Sequence, residues 1–399
     1  MNKTANELFY DMQVRHAVHL HQYSSHILNQ INSLLNKSEQ ALEEKLLLNL
    51  PKVQKGGETD WTRLAKLLDE IKQVRSEVWG TTYSVFEEEL VTLAKSEPAS
   101  YVAMLETALP VVIATTLPQA HMLKAIATSR PFQGKVLRDW ARKMEADDIG
   151  RIHQSIQIGM TLGETTPSIV KRIIGSSGAK GTDGITQMAR NQVEAVTRTA
   201  VQHVANSAKE EFLKLNSDVI GEDDIYISVL DSRTTPGCKA LDHKTFKRNT
   251  GPRPPLHFRC RGIRLAVLDA GLLGDRPANP TTRKILLSEY AKENNLGTIA
   301  KRDDLPYGTK TKYDKWERAR IRELVGPVPS SKSYNNWLKE QSVVYQEETL
   351  GKAKAKLFRD GGLDLDKFVD RNYQPLTLKE LAAREAEAFR RAGLDPKSY

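Results

Sequence analysis

The sequence predicts an α+β protein, predominantly helical, with long N-terminal helices, a small central antiparallel β unit and a helical C-terminal tail. Three observations carry this. Apolar residues recur every three or four positions over most of the first 215 residues, which places them on single helix faces. Residues 225–230 and 261–268 instead alternate apolar and polar, the period of strands. Beyond Pro280 the chain is polar, with short periodic runs and one clear helix-start signature.

Taken in order, residues 1–48 read as one helix whose stripe is Phe9, Met12, His16, Leu20, Tyr23, Ile27, Ile31 and Leu34. A stripe of that length needs cover from later helices or from a neighbouring subunit. Pro51 and Gly56-Gly57 mark a break. A second helical block starts near Asp60 and Trp61 and runs through Leu64, Leu67, Leu68, Ile71 and Val74 into the 80s and 90s. Pro98, Pro110 and Pro118 are expected to cut the following stretch into short helices, because proline lacks the backbone donor and clashes with the preceding turn. Helical spacing returns between Met144 and Ile173, with Gly159 and Gly163 as breaks. The glycine-rich segment 175–184 reads as a loop. Residues 185–215 are helical again, with Val193, Val196, Ala200, Val204 and Ala208 on one face. In the tail, Tyr334, Trp337, Leu338, Gln341 and Tyr345 line one helix face that Gly361-Gly362 stop. Thr377-x-x-Glu380 before Leu381 is a capping box. The chain thus divides into a helical N-terminal region (1–145), a central unit with the β insert (146–280) and a tail (281–399).

At 399 residues there is room for two or three domains. Lys and Arg number 59 against 50 Asp and Glu, a net +9. Two cysteines exclude a disulfide scaffold and fit a reducing cytosol. The opening MNKTANELFY lacks the basic start and apolar core of a signal peptide. The most apolar stretch, residues 101–122, is interrupted by Glu106, Pro110 and Pro118, so no membrane span is expected. No P-loop, G-x-S-x-G elbow or H-E-x-x-H helix occurs.

The informative segment is 231–264, DSRTTPGCKALDHKTFKRNTGPRPPLHFRCRGIR. It carries nine basic residues and two acidic ones, enough to attract a polyanion. Arg248, Arg253, Arg259, Arg261 and Arg264 are the candidates for contacting DNA phosphate without reading bases. Both cysteines lie here. Tetrahedral zinc wants four N, S or O donors, and Cys238, His257 and Cys260 with Asp242 or His243 would supply them. The same residues also fit two buried thiols and a hydrogen-bonded histidine in a small core. An HNH-type nuclease is the enzyme alternative, with Asp242-His243, Asn249, Gly251 and His257. Pro252, Pro254 and Pro255 break the helix that such a site needs. His16 and His19, three apart, could share a metal, but His16 sits on the apolar stripe and ordinary packing is favoured.

The matched residues are Leu230-Asp-Ser-Arg-Thr-Thr235, Cys238, Leu241-Asp242, Phe246, Pro254-Pro255, His257, Cys260 and Arg261. Together they resemble the signature of phage head morphogenesis proteins, the Mu-F-like minor head (minor capsid) family. The departures are His243 where glycine is usual, and Gly262 in place of a second cysteine or serine. Glu194, Arg198-Thr199, Asn206 and Ala208 look like the helix preceding that signature. Val325 to Pro329, Tyr334, Trp337-Leu338, Gln341, Leu350-Gly351 and Leu357 to Leu363 are similar to the tail of such proteins. The resemblance covers roughly residues 150–385. It implies a non-enzymatic structural protein, with no catalytic residues, made in the bacterial host cytoplasm and placed in the virion near the portal. Its implied partners are the portal protein, a capsid or scaffolding protein and double-stranded DNA without sequence preference. The implied stages are head assembly, DNA packaging and DNA ejection.

Overall fold

Two helices of almost equal length dominate the computed structural model, which describes residues 4–55, 58–109, 114–176, 178–179, 181–217, 220–268, 275–329 and 332–399. Helix α1 (Ala5–Val53) starts from a capping box of Thr4 and Glu7, and α2 (Trp61–Ala108) starts from Asp60, whose side chain accepts from the Arg63 amide. A two-residue ribbon, β1 (Gln54–Lys55) with β2 (Glu58–Thr59), reverses the chain between them. The pair makes a hairpin ~70 Å long. Gly56-Gly57 and Pro110, read as breaks above, lie outside the described residues.

The long stripe is covered from within the chain. Phe9, Leu20, Ile27 and Ile31 are buried, and Leu35 rather than Leu34 continues the face. Leu20, Ile27 and Ile31 share one core with Trp79, Phe86 and Leu90 of α2 and with Val193, Val196, Ala200, Val204 and Ala208 of α6 (Thr186–Leu215). Helices α3 (Ala120–Thr128) and α4 (Leu137–Thr161) add Leu123, Ile126, Leu137 and Met144 to it, so this core runs across residue 145 without interruption. Pro98 does not break the chain as expected: it is buried inside α2, which continues to Ala108. Packing along α1 and α6 outweighs one lost backbone bond. Gly159 likewise sits inside α4. A side chain there would collide with Ile169 of α5 (Thr166–Ile174), so the glycine serves close approach, while Gly163 (φ +64°) follows the helix end.

Two buried charges in the helical body are paired across helices. Arg75 of α2, 0% exposed, donates to Asp148 of α4 (2.8 Å) and to Ser38 of α1 (2.9 Å), and Trp79 Nε1 donates to the same carboxylate. His16 meets Glu97 of α2 at 2.8 Å. His203 of α6 packs against Phe132, and burial, reinforced by the Arg130 charge, pushes its imidazole down to about 4. A histidine held below its unfolded value resists protonation in the fold, so the unfolded chain takes the proton first as pH falls. Stability from this group is complete above about pH 6.5 and declines toward pH 4, by about 3 kcal/mol in all. His203→Gln is expected to shrink the drop in Tm between pH 7 and pH 4.5; an identical drop in both proteins would refute it.

The central sheet has three antiparallel strands: β3 (Asp223–Ile227) lies between β4 (Thr245–Lys247) and β5 (Ile263–Ala266). The two strands of the sequence reading are therefore present and paired as β3 and β5, and β4 is an addition. Ile227, Ile263 and Leu265 pack on Tyr10 of α1. Gln13 of α1 caps the β5 edge, donating to the Ala266 carbonyl and accepting from its amide, both at 3.1 Å. Helix α7 (Pro236–Leu241) sits in the insert between β3 and β4.

Ribbon strand β6 (Asp275–Ala278) precedes the tail, whose helices α8 (Arg283–Glu293) and α9 (Lys310–Leu324) lead to β7 (Gly326–Pro329), which pairs antiparallel with β6. Short helices follow: α10 (Tyr334–Lys339), α11 (Val343–Leu350), α12 (Lys352–Arg359), α13 (Leu378–Arg384) and α14 (Ala386–Arg391). The single helix face expected from Tyr334 to Tyr345 is two helices, because Ser342 caps α11 by accepting from the Tyr345 amide. Their aromatics still share one core, joined there by Leu230, which immediately precedes the insert. The capping box at Thr377 and Glu380 is formed, and Gly362 (φ +70°) follows α12.

Candidate metal centre

Cys238 comes from the first turn of α7, which opens on Pro236 with its fixed φ. His257 and Cys260 come from the loop entering β5, where the Cys260 amide donates to the His257 carbonyl at 3.2 Å. The two sulfurs lie 3.9 Å apart, and His257 Nε2 is 3.5 Å from Cys238 Sγ. All three donor atoms fall within 4.8 Å of one another. Tetrahedral zinc with ordinary bond lengths sets two sulfurs ~3.8 Å apart and a sulfur and an imidazole nitrogen ~3.6 Å apart. The match is close. The other ring nitrogen is 2.8 Å from the Phe258 carbonyl, so Nδ1–H donates there and Nε2 turns its lone pair to the sulfurs. Histidines that bind metals are commonly oriented by such a backbone acceptor.

The electrostatics suit a cation. The hydrogen bond from Cys238, with help from His257 and against burial, holds the Cys260 thiol down to about 4. Cys238 is pushed up by that same bond and by burial. His257 is raised by its contact with Cys260, against burial. Both cysteines are buried, at 3% and 2% exposure, and His257 is half-buried beside them. Three protein ligands leave one position for water or for the Thr235 hydroxyl, which lies 3.0 Å from His257 Nε2.

The fourth ligand expected from sequence does not join them. Asp242 spends its two carboxylate oxygens on backbone, accepting from the Ser228 amide (2.7 Å) and the Tyr334 amide (2.6 Å). His243, with φ +66°, is outside the group as well; its amide donates to the Tyr226 carbonyl at 2.8 Å. Tyr226 was missed by the sequence reading. Its hydroxyl donates to Cys238 Sγ at 3.2 Å and fills the space that a side chain at Gly262 would need. Gly262 thus leaves the room that this phenol from β3 occupies.

The five arginines read as a phosphate surface are largely engaged inside the fold. Arg261 makes a two-bonded pair with Asp231, 2.7 Å for each. Arg248 and Arg264 are buried on either side of Asp224, at 3.6 and 3.4 Å, and donate to the Leu213 and Thr250 carbonyls respectively. Arg253 pairs with Glu210 (3.0 Å) and Arg259 with Glu194 (2.9 Å), and these two remain 36% and 47% exposed. The carboxylates of Asp224, Glu210 and Glu194 precede the 231–264 segment in sequence and fold onto it.

Helix α6 clamps the loop along its length. Thr199 Oγ1 accepts from the Arg259 amide (3.0 Å), Gln202 donates to the Gly262 carbonyl (3.1 Å) and Asn206 to the Pro254 carbonyl (3.2 Å). From the tail, the Tyr334 hydroxyl donates to the Asp231 carbonyl at 2.8 Å. No described helix is long and apolar enough to cross a membrane. Comparisons with family models, with curated proteins and with solved structures give no match for this chain.

Proposed function

We propose that this chain is a structural, non-enzymatic minor head protein of a tailed phage, similar to the Mu-F-like head morphogenesis proteins, and that zinc pins its β unit. The observation that supports this best is how the signature residues are spent. Asp231, Asp242 and Arg261 tie the insert to itself and to the tail, while Cys238, His257 and Cys260 form one buried group. Such side chains build a rigid docking body. The nuclease alternative draws no support from this arrangement, since the Asp242 carboxylate is directed at two backbone amides and His257 at two sulfurs. In this reading the protein is made in the bacterial cytoplasm and enters the head near the portal, with the portal and a capsid or scaffolding protein as partners. It acts in assembly and in passage of DNA through the vertex.

DNA contact in this reading falls to the two partly exposed arginines, Arg253 and Arg259, and is sequence-blind. Two phosphate contacts give a slope of log affinity against log salt of about −2. Arg253→Glu combined with Arg259→Glu is expected to flatten that slope in filter-binding titrations on unrelated duplexes. A slope steeper than about −5, or one indifferent to both changes, would place the contact elsewhere.

The functional test is incorporation. Proheads assembled with portal, capsid protein and this chain should carry it through sedimentation, and truncation after residue 280 should weaken that retention while the sheet stays folded. Cutting of DNA with Mg²⁺, Mn²⁺ or Zn²⁺ that disappears in His243→Ala would overturn the structural reading.

A further inference from the structure

Helices α4 and α6 leave a groove open between them, closed at one end by the loop that carries His257 and Cys260. A hollow of about 410 Å³ is floored by Trp140, Met188, Val196 and Phe258. A second, of about 380 Å³, continues it past Ile158 and Ile185, and Arg151 and Met188 line both. From Trp140 to Ile158 the groove follows five turns of α4, or ~27 Å. Met188, Ile158 and Phe258 stay 48%, 44% and 37% exposed, an apolar floor of uncommon continuity for a surface.

The rim is net positive, four cations against the three carboxylates that pair with them. Lys143, Arg151, Arg172 and Arg259 line the two hollows, and no carboxylate lines either. Asp147, Glu164 and Glu194 pair with these cations without lining the groove. The wall at the loop end is preorganised: Phe258 stacks edge-on to Trp140 at 5.2 Å, and the Arg259 amide is fastened to Thr199.

We propose that this groove receives an amphipathic helix from a partner protein, about five turns long, with apolar side chains at i, i+3, i+4 and i+7 and acidic residues flanking them. A groove between two helices is the natural seat for a third, and the cationic rim selects the sign of the flanks. A second copy of this chain is disfavoured by its own +9 charge. Nucleic acid would gain from the rim but nothing from Met188 and Ile158.

The test is selection from a displayed library of 20-residue helical peptides against the full-length chain, followed by fluorescence anisotropy on the enriched peptides. The expected winners are acidic and amphipathic. They should lose about tenfold or more in affinity to Met188→Glu and to Ile158→Asp, both at exposed positions, with the far-ultraviolet spectrum unchanged. Arg151→Glu should shift the preference toward neutral or basic flanks. Winners that bind all three variants as well as the parent would overturn the proposal. So would a duplex DNA that these variants alone release, or a dimer in sedimentation velocity that Met188→Glu dissolves.

Discussion

Cys260→Ser is expected to leave the protein without bound zinc and to lower its unfolding free energy by more than about 3 kcal/mol. The wild-type chain, purified without chelators, should carry one zinc by native mass spectrometry, and a strong chelator should reproduce the loss of stability. Zinc can supply about 10 kcal/mol or more to a small peptide that has no other means of folding. Here the same loop is also braced by Thr199, Gln202 and Asn206 of α6, so the smaller figure is expected. Cys238→Ser should behave alike. Asp242→Asn should retain zinc, because Asp242 caps backbone amides and does not face the sulfurs. Metal-free protein whose Tm does not respond to added zinc would contradict the assignment.

The second large effect lies in the helical body. Asp148→Ala removes the only carboxylate seen bonded to Arg75 among the described residues and strands a guanidinium that is 0% exposed. Leaving one charge of a buried pair uncompensated costs about 3–5 kcal/mol. The urea midpoint should fall accordingly. The paired replacement Arg75→Met with Asp148→Leu should recover most of it, since two apolar side chains strand no charge. A single variant as stable as the parent would mean that water reaches Arg75.

Much of the architecture was legible because it follows local rules. The three-and-four spacing of Phe9 to Ile31 marked α1, the alternation at 225–230 and 261–268 marked β3 and β5, and Thr377 with Glu380 marked α13. What failed was tertiary. Pro98 was read by its intrinsic cost, but a helix with so much buried surface on α1 and α6 absorbs that cost. Strand β4 is three residues long and carries too little pattern to declare itself. In the site, two cysteines and a histidine confined to one short segment signalled that Cys238, His257 and Cys260 would gather. Asp242 carried the right chemistry, yet its carboxylate was claimed by the amide of Tyr334, 92 residues away in sequence. The partners of the arginines were hidden for the same reason: Asp224, Glu210 and Glu194 reach them only once β3 and α6 are in place.

The most direct test of the proposed role is a cryo-EM map of the portal vertex from heads assembled with this protein. The expected result is density for the ~70 Å hairpin of α1 and α2 beside the portal, with a compact lobe for the sheet and tail at its base. A vertex without that hairpin, from particles in which the protein is present elsewhere or absent, would contradict the assignment to the head.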